Sequence, residues 1–165
     1  MLTDIQFQDP RWQQIQLDQI AETATTAALA HLNIPVDGAE IAILACDDAQ
    51  IATLNADFRG KPTPTNVLSW PSEERATGAE GGTPLPPFDM ELGDIAIAYD
   101  TCHREALEQS KPFPDHVTHL IVHGVLHLLG YDHIRDKDAT LMEGIEVAIL
   151  GKLGLPDPYR DYDTE

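Results

Sequence analysis

Three of the chain's 7 histidines fall in one short stretch, HGVLHLLGYDH, which runs from His123 to His133 in the most apolar part of the sequence. Imidazoles are not buried without partners, so their clustering here needs a chemical reason. On a helix at about 100° per residue, Val117, Leu120, Ile121, Val125 and Leu128 form one apolar face, which Val122, Leu126 and Leu129 extend. His116, His119, His123 and His127 form a separate stripe. Neighbours one turn apart have Cβ atoms roughly 5–6 Å apart. That suits His123 and His127 to share one metal ion through bonds of about 2.0–2.1 Å. Gly130 takes readily the left-handed conformation that ends a helix. The chain then turns through Tyr131 and Asp132 and returns His133 towards the stripe. The pattern is His-x3-His-x5-His, with two ligands on a rigid helix and the third on a glycine-enabled reversal. His116 and His119 read as partly exposed groups or as residues standing behind the ligands, rather than as ligands themselves.

Three protein ligands leave one tetrahedral position open, as catalytic zinc sites do and closed structural ones do not. Asp132 could fill it, although its neighbour His133 is the better-placed ligand. A bound divalent ion acidifies the water it holds and polarises a carbonyl or phosphoryl oxygen. The spacing is also that of the metzincin peptidases, H-E-x-x-H-x-x-G-x-x-H. Gly124 stands where those enzymes carry their glutamate general base, and Met142 falls in a predicted helix rather than a Met-turn. A metzincin-like metallopeptidase is therefore the second reading.

The stripe needs a scaffold. A chain of 165 residues is expected to form a single domain over 1–165 with a proper core. Weak alternation marks a strand at 2–9, and helical spacing marks a helix over 12–32. A strand at 39–47 leads into an Asp-capped helix through Ile51, Leu54 and Phe58. A loop at 59–65, a short strand at 66–70 and a strand at 93–99 come next. Helices are predicted at about 100–109, 114–129 and 136–153. Strands and helices alternate and then give way to helices alone. That predicts an α+β fold: a small mixed β-sheet of about four strands with helices packed on it, and a zincin-like metal helix. Residues 71–90, PSEERATGAEGGTPLPPFDM, are turn formers and charge, and 60–90 holds half of the 12 prolines. A loop that long is expected to be mobile and exposed.

With 28 acidic residues against 10 basic ones, the net charge is −18. This excludes a generic polyanion binder. Contact with nucleic acid would need a local basic cleft, a metal ion or a partner that supplies the charge. Cys46 and Cys102 are far apart and form no CxxC pair, so they read as buried thiols rather than a disulfide or zinc site. The opening MLTDIQFQDP has acids and glutamines where a secretory leader has basic and apolar residues, and no run has the length of a membrane helix. A cytoplasmic protein with no membrane partner is expected.

HGVLHLLGYDH resembles the signature of the YbeY family, metal-dependent endoribonucleases of ribosomal-RNA maturation. FRGKPTPTNVLSWP (58–71) is similar to that family's R-G-K-x-x-P-T-N-V-L-S-F-P block, and LGDIAI (92–97) to its L-G-D-I-x-I strand. HVTHLIVHG is similar to the lead-in to its metal helix, and MEGIE (142–146) to the M-E-x-x-E that follows. The order agrees, over about residues 38–160. The resemblance implies an α+β unit with a metal cleft beside the sheet, one zinc ion on His123, His127 and His133, and an essential arginine at Arg59. It implies cleavage of single-stranded RNA, not DNA, in 3′-end maturation of small-subunit rRNA and in ribosome quality control.

Arg59 has a physical rationale in that setting. Phosphodiester cleavage builds negative charge on non-bridging oxygens, which a guanidinium fork matches and a nearby cation shares. Lys61 adds a second positive group in the same loop. Asn66 either satisfies backbone groups at a strand start or holds a nucleotide. Ser69 either faces solvent or helps present a strand edge to the substrate. Asp132, Glu143, Glu146 and His119 are candidates to orient the histidines from behind; solvated helix charge is the other reading of the two glutamates. His31 and His103 read as structural. Proteins of the small ribosomal subunit are expected to bring so acidic a chain to its RNA. A third class of function remains, a metal-stabilised scaffold that binds such proteins and cuts nothing.

Overall fold

Runs of Ile, Leu and Ala in β2 Glu40–Cys46 and β4 Glu91–Ala98, with the shorter β1 Thr3–Phe7 and β3 Val67–Pro71, put strands where the sequence places them. The computed structural model describes residues 2–75, 77–84, 86–87 and 90–159. The four strands form one mixed sheet in the order β1-β2-β4-β3. The first three in that order are parallel, and β3 is an antiparallel edge strand beside β4. Ile5, Ile43, Ile95 and Ser69 lie in one register across it.

The helices are α1 Leu17–His31, α2 Asp48–Arg59, α3 Tyr99–Glu108, α4 Phe113–Leu128 and α5 Asp136–Lys152. On one face of the sheet, Ile41, Ile43, Ile95 and Ile97 meet buried residues of α1 and α4, among them Ala24, Ala28, Ile121 and Val125. Each isoleucine buried there contributes about 1.5–3 kcal/mol relative to exposure. Ile51 of α2 belongs to a smaller cluster with Leu68, Ala96 and Ala98. This is the mixed architecture expected, with α4 central to it.

One expected helix is broken. Instead of a continuous helix over 12–32, the chain forms a short 3-10 helix, Pro10–Ile15, before α1. Asp9 opens it by accepting from Arg11 N at 3.0 Å. The Trp12 indole, fully buried, donates to Cys46 O at 2.9 Å. Gln16 then adopts a left-handed φ of 56° before α1 starts. Anchoring the Trp12 ring in the core sets the direction of the first turn, and the chain must change course to lay α1 on the sheet.

Glu22 ties α1 to β1, accepting from Leu2 N at 2.9 Å, Thr3 N at 3.2 Å and Thr3 Oγ1 at 3.0 Å. Burial pushes its carboxyl up, but these hydrogen bonds outweigh that and hold it below the usual carboxylate range. A carboxyl depressed by folding adds stability above its unfolded pKa and loses it as pH falls through the folded value. Glu22→Gln should therefore be less stable than wild type in urea unfolding near neutral pH. The gap should close as the pH falls below about 4. A gap of constant size down to about pH 3 would contradict the assignment.

Cys46 and Cys102 are buried and unpaired. Burial, aided by Asp47 and Asp48, pushes the Cys46 thiol up to about 12. Among the described residues no helix is long and apolar enough to cross a membrane. Within the 71–90 segment, where mobility is expected, residues 76, 85, 88 and 89 lie outside the described residues. Its described part is fastened at two places. The buried Arg75 donates from Nη1 to Leu128 O at 2.7 Å and to Leu92 O at 3.2 Å. Farther on, Gly81 N donates to Asp138 Oδ1 at 2.7 Å and Lys137 N to Glu80 Oε2 at 3.0 Å, while Arg135 donates to Gly78 O at 3.1 Å.

Candidate metal centre

α4 lies directly on the sheet. A Cβ added at Gly124 would stand 3.1 Å from Ile95 Cδ1. Position 124 thus faces the core, and a glutamate side chain there would be driven into β4 rather than into a cleft. The missing general base of the peptidase pattern has a packing cause. The helix ends in a Schellman turn, with Tyr131 N donating to Leu126 O at 3.0 Å and Gly130 N to His127 O at 3.1 Å. Gly130 has a φ of +100°, and a Cβ there would lie 2.7 Å from the Arg75 carbonyl carbon. Only glycine fits both constraints, and the reversal it permits brings His133 back to the helix.

Ring nitrogens of His123, His127 and His133 lie within 4.8 Å of one another. Nε2 of His123 and Nε2 of His127 are 3.0 Å apart. The three ring centroids are separated by 4.5, 5.1 and 5.0 Å. Bonds of about 2.0–2.1 Å in a tetrahedral site place ligand atoms roughly 3.3 Å apart, so the trio has the scale of a single-ion site. Burial, reinforced by the neighbouring His123 and His133, pushes His127 down to about 4. The ring is then neutral near physiological pH and offers a lone pair, as a ligand must.

Glu146 of α5 backs the trio. It is fully buried, and its Oε1 accepts from His123 Nδ1 at 2.5 Å while its Oε2 accepts from His119 Nε2 at 3.2 Å and from the Tyr159 hydroxyl. Burial alone would raise its carboxyl; the hydrogen bonds from His119, His123 and Tyr159 and the attraction of His123 bring it down to about 2. A carboxylate only accepts, so Nδ1 of His123 carries the proton and Nε2 the lone pair that faces His127. His119, His123 and Glu146 also bring three ligand atoms within 4.8 Å. Those atoms, however, already satisfy one another by hydrogen bonds, whereas all three residues of the first trio line one cleft.

That cleft has a volume of about 570 Å³. Its walls are the end of α4, the turn 130–134, the edge strand β3 through Val67, Ser69 and Pro71, and Arg59. Arg59 is the last residue of α2, exposed, and forms no ion pair among the described residues. The structure therefore brings Arg59, Ser69, Asn66 and Asp132 to the same cleft as the three histidines. Lys61 is exposed and outside the cleft lining. The Asn66 amide is committed elsewhere, donating to Glu105 Oε1 at 3.1 Å and accepting from Val67 N at 2.7 Å. Asp132 Oδ1 accepts from His133 N at 2.6 Å, which steadies the turn. Of the two glutamates on α5, Glu146 meets the histidines; among the described residues no hydrogen bond joins Glu143 to them. Neither periodicity nor motif marks Tyr159 or Arg75, which lie in polar stretches of irregular pattern.

A sequence model of the family described as Endoribonuclease YbeY matches residues 4–154. The chain belongs to that family. The endoribonuclease YbeY of Ruegeria pomeroyi is 58% identical over 164 residues, covering 96% of this chain and 98% of that protein. The one from Paracoccus denitrificans is 55% identical over 161 residues, covering 98% and 91%. A solution structure from Thermotoga maritima shares the fold, with a TM-score of 0.55 over 96% of this chain and 99% of its own, at 19% identity. Members of the YbeY family are named as enzymes that hydrolyse phosphodiester bonds within RNA. The cleft described here is the one concave surface among the described residues that combines three convergent imidazoles with a guanidinium.

Proposed function

We propose that this chain is a zinc-dependent endoribonuclease of the cytoplasm that cuts single-stranded RNA in 3′-end maturation of small-subunit rRNA and in ribosome quality control. The observation that carries the reading is the convergence of His123, His127 and His133 on the cleft that Arg59 also lines. The three imidazoles would hold one zinc ion, and zinc suits a nitrogen-donor trio with a position to spare. When bound, it supplies Lewis acidity and a water of lowered pKa. Arg59 faces the developing charge on the non-bridging oxygens and lowers the barrier by binding it more tightly than the ground state. The outer edge of β3 and the Ser69 hydroxyl provide hydrogen-bonding groups along the cleft for an extended strand. Asn66 contributes by shaping β3, since its amide is already engaged. Lys61 raises the local positive potential from outside the cleft. Asp132 and His119 hold their neighbours in place.

A net charge of −18 opposes approach to a polyanion. Proteins of the small ribosomal subunit would deliver the substrate, so cleavage of bare RNA should be slower and more salt-sensitive than cleavage on ribosomal particles. The test is metal analysis of freshly purified protein together with turnover of a short single-stranded RNA, its duplex and casein, before and after chelation. Single-strand cleavage that chelation abolishes and zinc restores, with casein intact, is expected. Casein turnover would instead point to the peptidase reading, and unfolding on chelation with no RNA cut at any stage would point to the scaffold.

A further inference from the structure

Tyr159 lies beyond residue 154, where the family match ends, yet it is folded back against the histidine helix. Its hydroxyl donates to Glu146 Oε2. Its ring meets that of His119 edge-on, with centroids 5.6 Å apart and planes at 85°. The segment leading to it is secured by Lys111 Nζ, which donates to Pro158 O at 3.3 Å, and by Asp157 Oδ1, which accepts from Tyr159 N at 2.8 Å. The tail is thus tied to the start of α4 on one side and to the carboxylate behind the metal ligands on the other.

Glu146 divides its donors unequally. Oε2 takes two, His119 Nε2 and the Tyr159 hydroxyl, while Oε1 takes His123 Nδ1. The terminal torsion of a glutamate is broad, with no deep rotamer wells to hold the carboxylate plane. The plane is held by what bonds to it. We propose that Tyr159 is a positioning residue: by fixing Oε2 it turns Oε1 onto His123 and so sets the ring that presents Nε2 to the cleft. The inference rests on the reading of His123, His127 and His133 as metal ligands. With the hydroxyl gone, Oε2 keeps only His119, the carboxylate plane can swing, and His123 is released to rotate or to move its proton to Nε2. Either change withdraws a ligand lone pair.

The test uses the full-length chain and cobalt(II), titrated against a chromophoric chelator in wild type, Tyr159→Phe, Glu146→Gln and the double variant. Tyr159→Phe keeps the ring edge on His119 and removes only the hydrogen bond. It should weaken cobalt binding by about tenfold, against about 10–100-fold for Glu146→Gln. In the Glu146→Gln background the same change should have little further effect, because its route is gone. The visible bands of bound cobalt should broaden in Tyr159→Phe. Unchanged affinity in Tyr159→Phe, or an equal loss in both backgrounds, would overturn the proposal while leaving the metal centre standing. A wild type that binds no cobalt would bring down the metal centre itself and this inference with it. A second measurement needs neither metal nor Glu146→Gln: long-range proton–nitrogen spectra of the metal-free protein. They should show His123 protonated on Nδ1 in wild type and a mixture of tautomers in Tyr159→Phe. His123 protonated on Nε2 in wild type would refute the arrangement.

Discussion

His127→Ala should abolish stoichiometric metal binding and lower single-strand RNA cleavage by about 10³-fold or more, the scale expected when a metal-activated nucleophile is lost. His127 is the cleanest of the three positions to change. His123 donates to the buried Glu146 at 2.5 Å, so its removal would leave Oε1 without its donor and disturb the buried carboxylate. His133 sits in an exposed turn whose geometry depends on Asp132. The His127 ring has one described hydrogen-bond neighbour, Nε2 of His123. Its replacement should leave the thermal midpoint of the metal-free protein within a few degrees of wild type. His31→Ala is the control, since that ring contacts Lys152 and neither residue lines the cleft. Metal content by elemental analysis and cleavage rate are read on the same samples. One equivalent of metal retained by His127→Ala, or cleavage at the wild-type rate without metal, would end the assignment.

Arg59→Ala separates chemistry from metal binding. It should lower kcat by about 10²–10³-fold, as removal of one preorganised donor to a developing oxyanion does. Metal content should not change, because no ring nitrogen depends on Arg59. KM should move less than kcat if the guanidinium acts chiefly on the transition state. Arg59→Lys should recover only part of the rate, since an ammonium cannot present two parallel N–H groups to two oxygens. Stability should barely respond: Arg59 is exposed, and its favourable place at the end of α2 is worth about 0.3–1 kcal/mol. Kinetics on a short single-stranded RNA, with unfolding curves in parallel, decide the matter. A kcat within a factor of two of wild type would remove Arg59 from the reaction and return it to the role of a surface charge.

The contrast between what the sequence reveals and what it hides follows from range. Residues four apart on one helix are adjacent by geometry, so His123 and His127 can be paired on paper, and a glycine at a helix end announces the reversal that delivers His133. β2, β4 and α4 carry clear apolar patterns, β1 only a weak one, and all four strands and α4 fall within a few residues of their expected limits. Gln16 carries no signal for its left-handed turn, which is imposed by the distant anchoring of Trp12 on Cys46 O. Glu143 and Glu146 are a turn apart and chemically alike; which of them meets α4 depends on how α5 crosses it, a tertiary quantity. Asn66 was open between two roles because its partner Glu105 lies on another element. Arg75 and Tyr159 sit in charged, irregular stretches, yet one is buried beneath the end of α4 and the other reaches the carboxylate behind the ligands.

The bare Cα at position 124 makes Ile95 a spacer. From the edge strand to the three convergent histidines the path is short: β3 pairs with β4, Ile95 projects from β4, and α4 rests on it beside His123. The thickness of one aliphatic side chain therefore gauges the opening of the cleft between β3 and the end of α4. A shorter or longer residue at 95, itself buried, would retune the cleft as a shim retunes a bearing, and under the proposed function variation in the core would be felt as variation in catalysis.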